Sequence, residues 1–324
     1  MKVLITGGGG FLGRRLAARL LQRGTLGNAE SREEKIERIT LFDKIPVSGF
    51  DDPRIRVVTG DASDPATLDE IVDAATDSIF HLAAVVSSQA EEDFDLGLSI
   101  NVDVSRRLFE ACRKLGHRPK VIFTSSLAVY GGALPELVRD DTALAPKSSY
   151  GVQKAIVELL LSDYRRKGFI DGRVFRLPTI SVRPGKPNKA ASSFASGIIR
   201  EPLNNAPSVC PVKPDEQLWL MSPRQAIECL IHGHDLGAEA FEPWPVLNLP
   251  GVTVAVREMV EVLGKVAGEA ATRLIRWEID PTIQRIIHSW PTRWDMSRAR
   301  QLGFEGDPDF ESIVRAFIKD DMAG

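Results

Sequence analysis

The sequence predicts an α/β protein in which a doubly wound parallel sheet is followed by a smaller α/β lobe. The chain opens on a short apolar run, which passes through consecutive glycines into a segment with helical apolar spacing. Strand and helix patterns then alternate regularly, as they do in parallel sheets with helices on both faces. The 324 residues also exceed the length at which single cores usually stop growing. We therefore expect one domain over residues 1–178 and a smaller lobe over 179–324.

The composition is that of a globular protein, with 43% hydrophobic and 26% charged residues. A net charge of -3 provides no basic field, so neither nucleic acid nor a membrane surface is expected as a partner. The three cysteines are too few for a disulfide framework, and no signal-peptide pattern is visible, so we expect a cytoplasmic location. Apolar runs are all shorter than the roughly 20 residues that span a bilayer.

The first strand covers Val3 to Ile5, and the helix after it begins near Phe11. Gly7, Gly10 and Gly13 lie three apart in the turn between them. In dinucleotide-binding folds such glycines make the turn, admit a pyrophosphate and pack helix on strand, while free N–H groups at the helix start hold phosphate. The first spacing differs from the usual GxGxxG, and a purely structural turn is the alternative. The position between strand and helix favours a dinucleotide site.

A polar segment, 28–38, is expected to be a surface loop or a short helical turn. It leads to a second strand, Ile39 to Asp43, that ends in a carboxylate. An acid at this point accepts hydrogen bonds from the adenosine ribose and repels a 2′-phosphate, so Asp43 favours NAD over NADP. NADP remains the alternative, because the acid lies farther from the glycines than usual and Lys44 is beside it.

The third strand, Arg54 to Asp61, ends at a position where residues could contact the edge of the adenine ring. Asp61 and Ala62 are the candidates for that contact. Alternatively, Asp61 only caps the helix that begins near Pro65, a role that Asp64 could also fill.

The fourth strand, Ser78 to Leu82, runs into small residues that would let the backbone approach a ribose. His81 lies inside the apolar run, and we expect it to be a core histidine rather than a base. The candidates for cofactor contact here are Leu82, Ala83 and Ala84.

Hydroxyl groups end the fifth strand, Lys120 to Ser126, and a helix downstream begins with Tyr150 and Lys154 on one face. We expect the ammonium to lower the pKa of the phenol from about 10. Such a tyrosine can take a proton from a substrate hydroxyl while the carbon gives a hydride to nicotinamide. Lys154 could also hold the nicotinamide ribose, and Ser126 the reacting oxygen. Tyr and Lys four apart are common on helices. Their combination with the glycine turn, the acid at the end of the second strand and Ser126 makes the pattern specific.

The order TGGGGFLG, LFD, GDASD, HLAA, TSSLAVYG, YGVQK resembles the extended short-chain dehydrogenases/reductases over nearly the whole chain. The resemblance implies a Rossmann-type first domain that binds NAD, a homodimer paired through the helix of Tyr150 and its predecessor, and catalysis by Ser126, Tyr150 and Lys154. The cofactor contacts that it implies are Gly7, Gly10, Phe11, Leu12, Gly13, Asp43, Asp61, Ala62, Leu82, Ala83, Ala84, Thr124, Tyr150, Lys154 and Pro178.

After the sixth strand, Arg173 to Pro178, the sequence departs from the nucleotide-sugar members of that family. Thr179 replaces their asparagine and Ser181 their aromatic residue, which weakens an epimerase interpretation. Arg183 follows in a loop bounded by proline and glycine, and an arginine can grip a carboxylate in two places. The alternative is that Arg183 is a solvated surface charge. Weaker candidates for the same role are Lys186 and Lys189.

The segment from Arg176 to Leu203 is similar to sugar-acid dehydrogenases of this family. This resemblance implies NAD-dependent oxidation of the 2-hydroxyl of a small sugar acid, with Ser126, Tyr150 and Arg183 contacting the substrate. The alternatives are a nucleotide-sugar epimerase or dehydratase and a non-catalytic NAD-sensing protein. The intact acid–base set counts against the last of these.

The smaller lobe is less regular, and it contains a proline-rich segment over 201–214. A strand at Val246 to Leu249 either belongs to this lobe or returns to the main sheet. His232 and His234 have no further ligands nearby, so no metal site is expected. We expect the core of the lobe to be filled by aromatic residues that include Trp277, Trp290 and Trp294.

Overall fold

A seven-stranded sheet in which all strands run parallel forms the centre of the fold. The computed structural model describes residues 1–185 and 190–322. The strands are β1 (Lys2–Thr6), β2 (Thr25–Gly27), β3 (Glu33–Lys35), β4 (Arg38–Asp43), β5 (Ile55–Thr59), β6 (Ser78–His81), β7 (Lys120–Ser126), β8 (Asp171–Leu177), β9 (Thr179–Ile180), β10 (Ser208–Cys210), β11 (Gln217–Met221), β12 (Val246–Asn248), β13 (Val252–Ala255) and β14 (Ile275–Trp277). The α-helices are α1 (Phe11–Arg23), α2 (Pro65–Ile71), α3 (Ser87–Glu92), α4 (Phe94–Leu98), α5 (Val104–Leu115), α6 (Ser149–Arg166), α7 (Phe194–Leu203), α8 (Pro223–Asp235), α9 (Val256–Ala267), α10 (Glu269–Thr272), α11 (Pro281–His288), α12 (Ser297–Gln301) and α13 (Phe310–Phe317).

The strand order of the main sheet is β12-β8-β7-β6-β1-β4-β5. The chain starts in the middle, adds β4 and β5 on one side, and then adds β6, β7 and β8 on the other. This reversal places the topological switch point between β1 and β6, where α/β proteins bind ligands at the carboxyl ends of the strands. The predicted doubly wound fold is therefore confirmed. β12 pairs with β8, so the strand after Pro245 returns to the main sheet.

Hydrophobic clusters cover both faces of this sheet, and a third cluster lies among the elements after residue 181. The central strands are buried on both faces, and they accordingly read as continuous apolar runs. α1 packs its Leu16 and Leu20 on one face and ends at Gly24, whose φ of 75° suits glycine. α8 packs on the same face, beside α1.

The end of α8 is held by two buried cations from the main sheet. Arg173 donates from Nη1 to the carbonyl oxygens of Gly233, His234 and Leu236 at 2.6 to 2.8 Å. Lys120 donates to the His234 carbonyl at 2.9 Å. Cations at a helix C-terminus satisfy its free carbonyl groups and favour its dipole, so these bonds fix α8 against the sheet.

Histidines outside the site take structural positions. His81 is fully buried, and its ring nitrogens bond the hydroxyls of Thr6 (2.7 Å) and Ser105 (2.9 Å). Burial lowers the pKa of His81 to about 3, so the predicted core role is confirmed. His232 and His234 likewise bond protein groups, the Leu302 carbonyl and the Ser78 hydroxyl, both at 2.7 Å.

Two expectations about the periphery are wrong. Segment 28–38 contains β3, which forms an antiparallel pair with β2. All of Glu33–Lys35 is polar and exposed, so no apolar alternation marked the strand. Trp277 does not fill a core, since 42% of it is exposed on β14. Trp294 stacks on Trp219, with 3.8 Å between ring centroids.

Within residues 1–185 and 190–322, the helices are all too short or too polar to cross a membrane.

The proline-rich segment 201–214 contains β10, which pairs in parallel with β14.

Candidate active site

Two cavities that meet at Leu82 and Ala84 lie along the carboxyl edge of the main sheet. The glycine-side cavity has a volume of about 330 Å³; the predicted cofactor residues in its lining are Gly7, Gly10, Asp43, Asp61, Ala62, Leu82, Ala83 and Ala84. The tyrosine-side cavity has a volume of about 210 Å³; the predicted residues in its lining are Phe11, Leu12, Leu82, Ala84, Thr124, Ser126, Tyr150, Lys154, Pro178 and Arg183. The fold thus brings together almost every predicted site residue.

Gly13 is the exception, because it lines neither cavity. A Cβ atom there would lie 2.2 Å from the Gly7 carbonyl oxygen, so this glycine lets α1 pack on the turn. Gly7 itself has a φ of 72°, and a Cβ atom on it would meet the Ala83 backbone nitrogen at 2.8 Å. Neither Gly7 nor Gly13 therefore leaves room for a side chain.

The N-terminus of α1 is open toward the cavities. Its N-cap residue, Gly10, has no side chain, and its first turn contains no acidic residue. Unpaired N–H groups and the positive end of the helix dipole make such a terminus a site for phosphate. This cradle fits the pyrophosphate of a dinucleotide.

The carboxylate of Asp43 faces the glycine turn, where it accepts a hydrogen bond from the Gly9 N–H at 2.9 Å. Lys44 turns away from it and pairs with Asp61 at 3.3 Å. Asp61 also accepts bonds from the backbone and hydroxyl of Ser63, and these bonds hold the pKa of Asp61 below its usual range. Asp43 therefore has no cation among the described residues paired with its carboxylate in the cavity wall. Asp61 also lines the cavity, but its carboxylate is bound to Lys44 and Ser63.

At the other end, Ser126 ends β7 and Tyr150 begins α6, whose N-terminus is capped by the Ser148 hydroxyl. The Ser126 hydroxyl accepts a hydrogen bond from the Ala128 N–H at 3.2 Å. Lys154 is buried, and its Nζ donates to the Thr124 carbonyl oxygen at 2.8 Å. The Nζ atom also lies 5.6 Å from the centre of the Tyr150 ring.

The expectation that Lys154 lowers the pKa of Tyr150 is wrong. Burial raises the pKa of Tyr150 to about 12, and a hydrogen bond with Ser126 and the charge of Arg183 oppose it only in part. Burial also lowers the pKa of Lys154 to about 7. Desolvation disfavours both charged forms, and the spacing of the two residues in the sequence carries no information about it.

The guanidinium of Arg183 is largely enclosed. Among the described residues it has neither an ion-pair partner nor a hydrogen-bond partner; the main-chain N–H of Arg183 donates to Ser196 instead. Burial and the nearby charge of Arg200 lower the pKa of Arg183. Arg200 is itself paired with Glu201 at 2.5 Å. An uncompensated cation in the wall of a cavity is suited to an anionic ligand. The other loop cations, Lys186 and Lys189, lie outside the described residues.

Sequence reasoning missed several lining residues of the tyrosine-side cavity, which are Val86, Ser87, Leu127, Ala128, Leu177, Ile180, Ala190, Ser192 and Trp290. Ser87 follows β6, so the rule about strand ends could have found it. Trp290 was expected in a core. It does pack against the second core, yet it also lines the cavity.

A family model described as the NAD dependent epimerase/dehydratase family matches residues 3–217. The chain belongs to this family. NAD, the predicted cofactor, is the cofactor stated by the family's description. The resemblance to the extended short-chain dehydrogenases/reductases is also confirmed.

Two curated relatives match over almost their full length. The D-erythronate dehydrogenase of Cupriavidus necator is 58% identical over 320 residues, which cover 99% of this chain and 98% of the relative. The D-erythronate dehydrogenase of Haemophilus influenzae is 47% identical over 323 residues, which cover 99% of this chain and 100% of the relative. A crystal structure described as the nucleoside-diphosphate-sugar epimerase from Agrobacterium tumefaciens has a TM-score of 0.93 and 44% identity, and covers 100% of this chain and 95% of that one.

In this family member, Asp43→Ala should narrow the preference for NAD over NADP. The change removes a negative charge that would repel a 2′-phosphate, so the ratio of the two dissociation constants should fall about tenfold, or about 1.4 kcal/mol. Isothermal titration with each cofactor measures this without a substrate. The matched control is Asp52→Ala, because Asp52 lies outside both cavities, bound to Arg54 at 2.8 Å. If the wild type already binds NADP as tightly as NAD, the role given to Asp43 is wrong.

Proposed function

We propose that this protein is an NAD-dependent dehydrogenase that oxidises the 2-hydroxyl of D-erythronate to give 2-dehydro-D-erythronate. The observation that carries the proposal is the shared cavity of Tyr150, Ser126 and Arg183. On one side of this cavity Tyr150 can transfer a proton, and on the other Arg183 can bind a carboxylate. The relatives named D-erythronate dehydrogenase support the choice of acid.

In the proposed reaction, Arg183 binds the carboxylate next to the carbon that reacts. Its guanidinium has no carboxylate partner among the described residues, and it faces the repulsion of Arg200. A bidentate pair with the substrate would satisfy its donors and relieve that repulsion. A neutral alcohol would do neither, so the site selects for acids.

Tyr150 accepts the proton of the 2-hydroxyl, while Ser126 holds the oxygen. The chemistry that NAD would supply when bound is acceptance of a hydride from C2, the carbon that carries this hydroxyl. Because the pKa of Tyr150 is raised to about 12, the phenol holds its proton at neutral pH. Oxidation uses the phenolate and should therefore become faster as the pH rises, whereas the reverse reduction uses the protonated form.

A second candidate is a nucleotide-sugar epimerase, which the description of the Agrobacterium tumefaciens structure favours. Such a substrate has a base and two phosphates to bind. The tyrosine-side cavity of about 210 Å³ is below the 300 to 1,000 Å³ of typical ligand pockets and must also accept the nicotinamide. Thr179 also lines this cavity at the position where the nucleotide-sugar enzymes have asparagine. The geometry supports a small acid better.

The deciding experiment measures NADH absorbance with purified protein, NAD and a panel of four- and five-carbon aldonates and UDP-sugars. We expect NAD reduction with D-erythronate or a close aldonate, and none with UDP-sugars. Turnover of a UDP-sugar with no reaction on any aldonate would refute the dehydrogenase proposal. A protein that binds NAD but is inactive on the whole panel would instead support an NAD sensor.

We also propose that the protein is a homodimer paired through α6. Three apolar side chains at helical spacing are exposed on this helix: Val152 (43%), Ile156 (41%) and Leu159 (59%). Contiguous exposed apolar surface of this kind is typical of interfaces. Leu159→Glu should therefore convert the dimer to monomers in sedimentation experiments, whereas the matched change Leu137→Glu, at an exposed leucine between β7 and α6, should not. A wild-type monomer would contradict the proposal.

A further inference from the structure

A buried carboxylate lies one helical turn beyond Lys154, behind the tyrosine-side cavity. Glu158 is 1% exposed, and Arg176 of β8 binds both of its oxygens, Nε to Oε1 at 2.9 Å and Nη2 to Oε2 at 2.6 Å. The Ser125 hydroxyl also donates to Oε1, at 2.5 Å. Ser125 stands in β7 between Thr124, which accepts from Lys154, and Ser126. Glu158 therefore contacts the strand that carries both of these site residues.

Without a negative charge nearby, the surroundings of Lys154 favour its uncharged amine over the ammonium form. The ε-amino group is buried, and its one hydrogen-bond partner among the described residues is the Thr124 carbonyl. The ring of Phe123 lies 4.6 Å from Nζ and offers only a modest cation–π attraction. Burial pulls the pKa of Lys154 down to about 7, and Glu158 acts in the opposite direction.

The other groups that face this ammonium cannot replace Glu158. His81, on β6, is neutral because burial lowers its pKa to about 3. Tyr150, on the same helix, keeps its proton at neutral pH. Arg176, on β8, is positive and bound to Glu158. Glu158 is thus the negative charge that acts on Lys154 within the described part of the chain.

We propose that Glu158 is a positioning residue that keeps Lys154 in its ammonium form and holds it in register with the Thr124 carbonyl and Ser126. The geometry provides for this role because Arg176 and Ser125 fix the carboxylate, so that it can neither rotate away nor reach solvent. The consequence for catalysis rests on the proposed function, whereas the charge state of Lys154 can be measured without a substrate.

The test is a pH titration of the full chain labelled with [ε-13C]lysine, whose resonance reports protonation of the amine. The Lys154 signal is identified by its absence in Lys154→Arg. In Glu158→Gln, which keeps the size and removes the charge, the midpoint should fall by about one to two pH units. In Glu158→Asp, which keeps the charge, it should stay within about half a unit of wild type. Equal midpoints in wild type and Glu158→Gln would overturn the proposal.

A matched control separates charge from general damage. Asp171 forms a similar buried ion pair with Arg165, between the same helix and strand, at 2.5 Å. Asp171→Asn should lower the melting temperature and leave the Lys154 midpoint unchanged. If Glu158→Gln does not fold, the double variant Glu158→Leu/Arg176→Met removes both charges without leaving either one unpaired. Its Lys154 midpoint should lie below that of Arg176→Met, which lacks the same cation but keeps Glu158, and equal midpoints in these two variants would overturn the proposal.

The activity profile gives a second measurement. With D-erythronate, the rise of kcat/KM with pH that Tyr150 causes should level off above the pH at which Lys154 loses its proton, and Glu158→Gln should move that levelling to lower pH. A uniform loss at every pH would indicate a structural role only. If the midpoint shifts in Glu158→Gln but no aldonate is oxidised by the wild type, the proposed function fails and the role of Glu158 stands.

Discussion

Replacing Tyr150 by phenylalanine should lower kcat for the acid substrate by about 10² to 10⁴, which corresponds to about 3 to 5 kcal/mol in the barrier. Phenylalanine keeps the ring that packs beside Ser126 and Lys154 and removes the hydroxyl that takes the proton. NADH absorbance under saturating substrate measures the effect. A variant that retains more than about a tenth of the activity would exclude Tyr150 as the base.

The chain supplies a matched control in Tyr164, which lies on the same helix. Its hydroxyl donates to Glu110 at 3.0 Å, and Tyr164 lines neither cavity. Tyr164→Phe should leave kcat unchanged, and both variants should bind NAD as the wild type does. The pH profile adds an independent check. In wild type, the rate of oxidation should rise with pH because the raised pKa of Tyr150 keeps the phenol protonated; in Tyr150→Phe this rise should be absent.

Most of the site could be predicted because its residues follow neighbouring strands of one parallel sheet. Gly7, Asp43, Leu82 and Ser126 each come at or just after the end of a strand. The carboxyl ends of parallel strands meet at one edge, so a correct reading of the strands places these residues together without any knowledge of side-chain packing.

The features that the sequence did not predict depend on contacts between distant segments and on burial. Trp290 lines the cavity more than a hundred residues after Tyr150, and no strand–helix alternation marks its position. The pKa of Tyr150 is raised because the protein removes water from the phenol, and a spacing of four residues cannot reveal this. The pairing of β12 with β8 was open for a similar reason, since a short apolar strand fits either sheet.

Arg183→Met should lower kcat/KM for D-erythronate about 10- to 150-fold, mostly through KM, with the affinity for NAD unchanged. Methionine keeps much of the side chain's bulk and deletes a charge-assisted pair worth about 1.5 to 3 kcal/mol. The matched control is Arg276→Met, since Arg276 is exposed on β14 and lines neither cavity. A wild-type value for the Arg183 variant would exclude Arg183 as the partner of the carboxylate and assign that role to another cation.

The substrate itself separates a charge contact from a packing contact. D-erythronamide has the same carbon chain and hydroxyls as D-erythronate, but it has no negative charge to pair with a guanidinium. If Arg183 binds the carboxylate, the wild type should prefer the acid over the amide, and Arg183→Met should lose that preference because only the acid is affected. An equal loss for both substrates would show that Arg183 shapes the cavity and does not recognise the acid. The comparison therefore tests the single residue on which the choice of a small acid depends.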